Sequence, residues 1–133
     1  MILIDTSVII DVLRNNKNEK VDLLRKALNN KLACGISIYT YTEVLQGARN
    51  TKEFAILEAH LSAFTIYYLP NETEPYKAAA KKILDLRKKG KTIRSTLDIL
   101  IAETAIVNGL YLLHNDHDFD VISENMTDLK IYE

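Results

Sequence analysis

One cysteine, Cys34, stands in a chain of 133 residues. A single thiol excludes an intrachain disulfide and a cysteine-cluster zinc site, and it fits a reducing compartment. Within Leu32-Ala33-Cys34-Gly35-Ile36 it reads as a small buried hydrophobe. Long apolar runs are missing as well, and none approaches the ~20 residues of a membrane span. No basic region precedes the first apolar run, which breaks at Asp5, so no signal peptide is expected. A soluble, cytoplasmic protein is the expectation, with no membrane partner. No repeat, low-complexity tract or linker interrupts the sequence, so one domain over residues 1–133 is expected. Formal net charge is only −1, and bulk charge neither favours nor opposes a polyanionic partner.

Hydrophobic residues make 47% of the chain, enough for a real core. Ile2-Leu3-Ile4 and Ala33-Cys34-Gly35-Ile36 are continuous apolar runs, the mark of parallel strands buried on both faces. Thr65-Ile66-Tyr67-Tyr68-Leu69 is β-branched and aromatic and stops at Pro70. Leu110-Tyr111-Leu112-Leu113 follows Asn108-Gly109, a good helix stop. Leu129-Lys130-Ile131-Tyr132 is a candidate edge strand. Helical stripes lie between these runs: Val21, Leu24, Ala27 and Leu28; Phe54, Leu57, Leu61 and Phe64; and Leu97, Leu100, Ile101, Thr104 and Ala105. A further helix is expected from near Asn71 to Gly90. Strands alternating with helices in this way predict the α/β class, with a central parallel sheet of four to five strands between two helical layers.

Carboxylates stand at four informative places. Asp5 ends the first strand in "ILIDTSVIIDVLR", and ligands of open α/β sheets bind at the carboxyl ends of strands. An N-cap would account for it equally well. Glu43 lies in "SIYTYTEVLQGAR", where Thr40-x-x-Glu43 also has the form of a capping box. Asp98 lies in "STLDILIAETA", where Ser95-x-x-Asp98 is close to the same motif. Asp98 shares a helix face with Ala102, Ala105 and Gly109. "LLHNDHDFDVI" carries Asp116, Asp118 and Asp120 after the fourth strand, where loop acids are ordinarily solvated.

Capping suffices for most of these acids taken singly. In a parallel sheet, however, the strand-to-helix junctions open on one edge, and the acids would converge there. Clustered carboxylates raise each other's pKa unless a cation offsets them. Hard oxygen ligands suit Mg²⁺ or Mn²⁺. Such a site supports phosphodiester cleavage.

With these acids in this order, the chain resembles the PIN-domain family, and within it the VapC-type ribonuclease toxins of toxin–antitoxin pairs. The resemblance runs through "ILIDTSVIIDVLR", "YTEVLQGAR" and "STLDILIAETAIVNGLYLLHNDHDFDVI". It implies an α/β/α sandwich and Mg²⁺-dependent endoribonuclease activity, with Mn²⁺ as an alternative. Carried over by position, it implies Asp5, Glu43, Asp98 and Asp116 as catalytic acids, with Asp118 the alternative fourth. Metal binding would fall to Asp5, Asp98, Asp116 and Asp118. Thr6, Ser7 and Asn115 match supporting polar positions, whereas Asp11 and Asp120 read as surface residues. The resemblance further implies an RNA substrate, a cognate VapB-type antitoxin and a homodimer.

Between Lys81 and Arg94 seven basic residues face one acid, Asp85. Lys81, Lys82 and Arg87 read as a solvated helix end. Lys88, Lys89, Lys91 and Arg94 lead toward the Asp98 helix, where contact with RNA phosphates stands beside the same solvated reading. His114 and His117 read as neighbours of the acidic loop rather than zinc ligands. Tyr39, Tyr41, Tyr67 and Tyr68 read mainly as strand and core aromatics.

Rival readings on a similar sheet are weaker. A receiver domain needs a lysine at a later strand end, and none closes Leu110–Leu113. Haloacid-dehalogenase-like phosphatases need an acid where Ser7 stands. A non-catalytic PIN-like module that only binds RNA or protein would be favoured by loss of an acid, and none is lost.

Overall fold

A computed structural model describes the whole chain, Met1–Glu133. Five parallel strands, β1 (Ile2–Ile4), β2 (Cys34–Ser37), β3 (Thr65–Tyr67), β4 (Tyr111–Leu113) and β5 (Lys130–Ile131), form one sheet. Their order is β3-β2-β1-β4-β5. Seven helices connect them: α1 (Thr6–Leu13), α2 (Glu19–Asn29), α3 (Ile38–Gln46), α4 (Thr51–Leu61), α5 (Glu74–Lys88), α6 (Thr96–Val107) and α7 (His117–Asn125).

The period of two along a strand sorts the apolar side chains into two cores. Ile2 and Ile4 join Ile36 and Leu113 against Val8 and Ile9 of α1, Leu24 of α2, Val44 of α3 and Leu61 of α4. Leu3 and Leu112 face the other way, against Ala79 of α5, Ala102 and Ala105 of α6 and Phe119 of α7. The sheet is therefore the middle layer of an α/β/α sandwich, as its doubly apolar strands predict. Cys34 departs from its expected burial. It is half-buried at the rim of the first of these cores, and desolvation still pushes its thiol pKa up.

The strand order sets the location of a site. From β1 the chain steps outward to β2 and β3, and then returns across the sheet to β4 and β5. The connections thus diverge to opposite faces at the β1–β4 pair, a topological switch point where such sheets open a crevice. Ile4 pairs with Leu113, so Asp5 and His114 leave that crevice side by side.

Two glycines hold this frame. A Cβ on Gly35 would run into the Tyr67 ring and lie 2.6 Å from the Thr65 carbonyl oxygen, so β2 and β3 pair as closely as they do only with glycine there. Gly109 takes φ +64° after α6, and the Leu110 amide then donates to Ala105 O at 2.8 Å, turning the chain into β4.

The third crossover, from β3 to β4, starts later than the apolar pattern suggests. Helix α5 begins at Glu74, with Pro75 in its first turn, rather than near Asn71. Lys82 is not a solvated helix-end lysine. Its ammonium donates to Glu103 at 2.6 Å and to Asp128 at 3.3 Å, and the Glu103 side chain is only 6% exposed. Burial of Glu103 on α6 demands such a partner.

Candidate active site

Asp5 is both things that its position suggests. It caps α1, accepting from the Ser7 amide at 3.0 Å and the Ser7 hydroxyl at 2.6 Å, and it stands at the carboxyl end of β1. Burial pushes its pKa up to about 6, opposed by the two Ser7 hydrogen bonds. The Asn115 amide in turn donates to Ser7 Oγ at 3.0 Å, which stitches the loop after β4 to the start of α1.

Glu43 lies in the middle of α3 and makes no capping box. The cap of α3 is Ser37, whose hydroxyl accepts from the Thr40 amide at 3.0 Å, so Thr40 is already inside the helix. Its carboxylate is fixed across the crevice instead: Thr6 Oγ1 donates to Glu43 Oε1 at 2.7 Å and lies 3.0 Å from Thr40 Oγ1. Beside Glu43, a groove of about 560 Å³ runs between α1, α3 and α4, lined by Ile10, Leu13, Val44 and Leu57 among others.

Asp98 sits in the first turn of α6, where Ser95 supplies the cap to the Leu97 amide. The carboxyl of Asp98 takes no part in that cap. Asp116 caps α7 by accepting from the Asp118 amide at 3.0 Å, so the acidic run after β4 is a helix start rather than a loop. Carboxylate oxygens of Asp98, Asp116 and Asp118 all lie within 4.8 Å of one another. Asp5 and Glu43 stand outside that triplet but close enough to act on it. Burial, and then the negative charges of Asp5, Asp116, Asp118 and Glu43, push the Asp98 pKa up to about 7. Both candidates for the fourth acid therefore belong to the cluster.

Three neighbours carry more weight than their sequence positions suggest. Arg94 donates from Nε to Asp118 Oδ2 at 3.0 Å and from Nη2 to Asp116 Oδ1 at 3.3 Å. Asp11, read as a surface acid, accepts from the side-chain amides of Asn16, Asn18 and Asn115, and the Asn16 and Asn115 bonds hold its pKa down. His114 is buried, and its Nδ1 accepts from the Asp116 amide at 3.3 Å. Desolvation lowers its pKa, and with Nδ1 engaged it braces the acidic run. His117 is exposed and near Asp120.

The donor set at the triplet is all carboxylate oxygen. That chemistry fits a hard divalent cation such as Mg²⁺ or Mn²⁺ and is a poor match for zinc. Burial first, and then repulsion by the neighbouring carboxylates, raises the Asp98 pKa, and such a cation would relieve the repulsion.

Residues 2–125 match the family model for the PIN domain. The chain belongs to the PIN-domain family. Among curated members, Ribonuclease VapC11 of Mycobacterium tuberculosis is 32% identical over 124 residues, covering 92% of each chain. Among solved structures, VapBC2 from Rickettsia felis bound to a promoter DNA fragment superposes with a TM-score of 0.76 at 18% identity, covering 99% of this chain and 98% of that one. VapBC-1 from nontypeable Haemophilus influenzae gives a TM-score of 0.76 at 23% identity, over 100% and 98% of the two chains. At such identities the structural likeness speaks for the fold, and the five-stranded parallel sheet is that PIN-like architecture. No helix is long and apolar enough to cross a membrane.

Proposed function

We propose that this PIN-domain protein is the toxin of a VapBC-type pair, a divalent-metal-dependent endoribonuclease whose site is Asp5, Glu43, Asp98, Asp116 and Asp118. The observation that carries this reading is the convergence of Asp98, Asp116 and Asp118 at the switch point, beside Asp5 and Glu43. The relationship to VapC ribonucleases supports RNA as the substrate. An RNA substrate also supports a cytoplasmic place of action.

Asp98, Asp116 and Asp118 would hold Mg²⁺ or Mn²⁺, with Asp5 at the rear of the cluster. When bound, the ion acidifies water and offsets charge that builds on the phosphodiester. The protein's own groups do the rest. Thr6 orients the Glu43 carboxylate, which faces the same crevice and is placed to accept a proton from an attacking water. Ser7 and Asn115 hold Asp5 and the acidic run in register. Lys88, Lys89 and Lys91, all exposed, lie ahead of α6 where RNA phosphates would approach.

The solved relatives named above are VapBC complexes, which supports a VapB-type antitoxin as partner. Homodimerisation belongs to the same reading and is measured by light scattering of the purified chain.

The deciding experiment is RNA cleavage during titration with Mg²⁺ and with Mn²⁺, for the wild type and Asp5→Asn. Asn can still cap α1, so the variant should remain folded. Activity should depend on the ion, vanish in EDTA, and fall by about 100-fold or more in Asp5→Asn. Wild-type cleavage by Asp5→Asn would overturn the site. Metal-independent RNA binding without cleavage would favour the non-catalytic module.

A further inference from the structure

Arg94 ends the segment that joins α5 to α6, one residue before the Ser95 cap. Its guanidinium contacts two of the three clustered carboxylates, Asp118 at 3.0 Å and Asp116 at 3.3 Å. The acids thus already hold one positive charge supplied by the chain. Arginine suits this role. It is charged at every relevant pH, and its planar fork can reach two carboxylates at once, which a lysine ammonium does less well.

The hold is also releasable. The Arg94 side chain is 75% exposed, and exposed ion pairs contribute little to stability because solvent competes for both partners. Its charge nevertheless sits on two of the three carboxylates that a divalent ion would use. Two cations drawn to the same carboxylates oppose one another, and such linkage is reciprocal. If metal loosens Arg94, removal of Arg94 must tighten metal.

We propose that Arg94 is a resident counter-cation that keeps Asp116 and Asp118 together before metal arrives, competes with the divalent ion for them, and so sets the metal affinity of the site. The inference rests on the reading that this cluster takes a divalent ion. Arg94 is here a positioning residue, because it acts through Asp116 and Asp118.

The test is Mn²⁺ alone, titrated into the wild type, Arg94→Gln and Arg94→Lys, with free Mn²⁺ followed by its EPR signal. Thermal melts in EDTA and in Mn²⁺ accompany it. Arg94→Gln should bind Mn²⁺ about 5-fold more tightly, the low end of usual coupling for an exposed group. It should melt lower in EDTA and gain more from Mn²⁺ than the wild type does. Arg94→Lys keeps a charge that bridges less well, and should fall between them. Equal or weaker Mn²⁺ binding by Arg94→Gln overturns the proposal, as a purely structural role or an RNA contact requires. Should Arg94→Gln fail to fold, unchanged affinity in Arg94→Lys overturns it. If the wild type itself binds no Mn²⁺, the metal reading of the site falls and this inference with it.

Discussion

Thr6 and Glu43, 37 residues apart, are joined by a 2.7 Å hydrogen bond from hydroxyl to carboxylate. The bond spans the crevice between α1 and α3 and fixes where the Glu43 carboxylate points. Thr6→Val keeps the shape and removes the donor. A half-buried carboxylate that loses a hydrogen bond destabilises by about 1–3 kcal/mol. Urea unfolding should show that loss, and cleavage should slow, whereas Thr6→Ser should retain most of both. An unchanged cleavage rate in Thr6→Val would mean that Glu43 needs no orientation.

Stability without metal should fall as pH rises through the acidic range. Asp98 has its folded pKa raised from 3.8 to about 7, and Asp5 from 3.8 to about 6. The folded chain therefore binds more protons than the unfolded one between these values. The stability linked to those protons is complete below about pH 4 and is lost progressively up to about pH 7. Melts in EDTA from pH 4 to 7.5 should show this slope. Asp98→Asn should flatten it and stabilise the metal-free protein at pH 7 by about 1–2 kcal/mol, less than the full shift implies because solvent screens a half-buried group. A loss of stability in Asp98→Asn would return Asp98 to a capping role. Divalent metal should raise the wild-type melting temperature at pH 7, since it binds only the folded state.

Lys89 and Lys91 test whether the approach to the site meets a polyanion. Both are exposed, and the pair flanks Gly90 after α5. Each phosphate neutralised adds about 0.7 to the slope of log affinity against log salt for a single strand. The double change Lys89→Ala with Lys91→Ala, made on inactive Asp5→Asn, should weaken binding to unrelated RNAs alike. It should flatten the salt slope by roughly 1 to 1.5. An unchanged slope assigns the lysines to helix-end solubility, and a loss confined to one sequence would mean base reading.

Lys82 and Glu103 hold α5 to α6 away from the site. Lys82→Met leaves the Glu103 carboxylate buried without its closest partner, which typically costs 3–5 kcal/mol. Denaturant unfolding should show a loss of that order. Glu103→Gln in the same background should recover part of it by removing the buried charge. Little effect from Lys82→Met would mean that water reaches Glu103.

Much of this molecule follows from order along the chain. Doubly apolar runs mark the buried strands, and helical spacing marks the layers that cover them. Asp5 carries two local meanings at once, cap and strand-end acid, and the structure realises both, whereas Asp116, expected in a loop, proves to be a helix cap as well as a cluster acid. Short-range signals mislead where a competing residue is nearer. Thr40 has the spacing of a cap, but Ser37 takes that place, which frees Glu43 to face Thr6. Tertiary structure alone decided the rest. Arg94 reaches acids 22 and 24 residues away, Lys82 reaches Glu103 across 21, and Asp11 meets Asn115 across 104. Sequence spacing encodes turns, caps and periodicity, because those depend on residues within a few positions. Which charge meets which across the crevice depends on how the strands are ordered and how closely the helices pack, and neither is written in any local stretch.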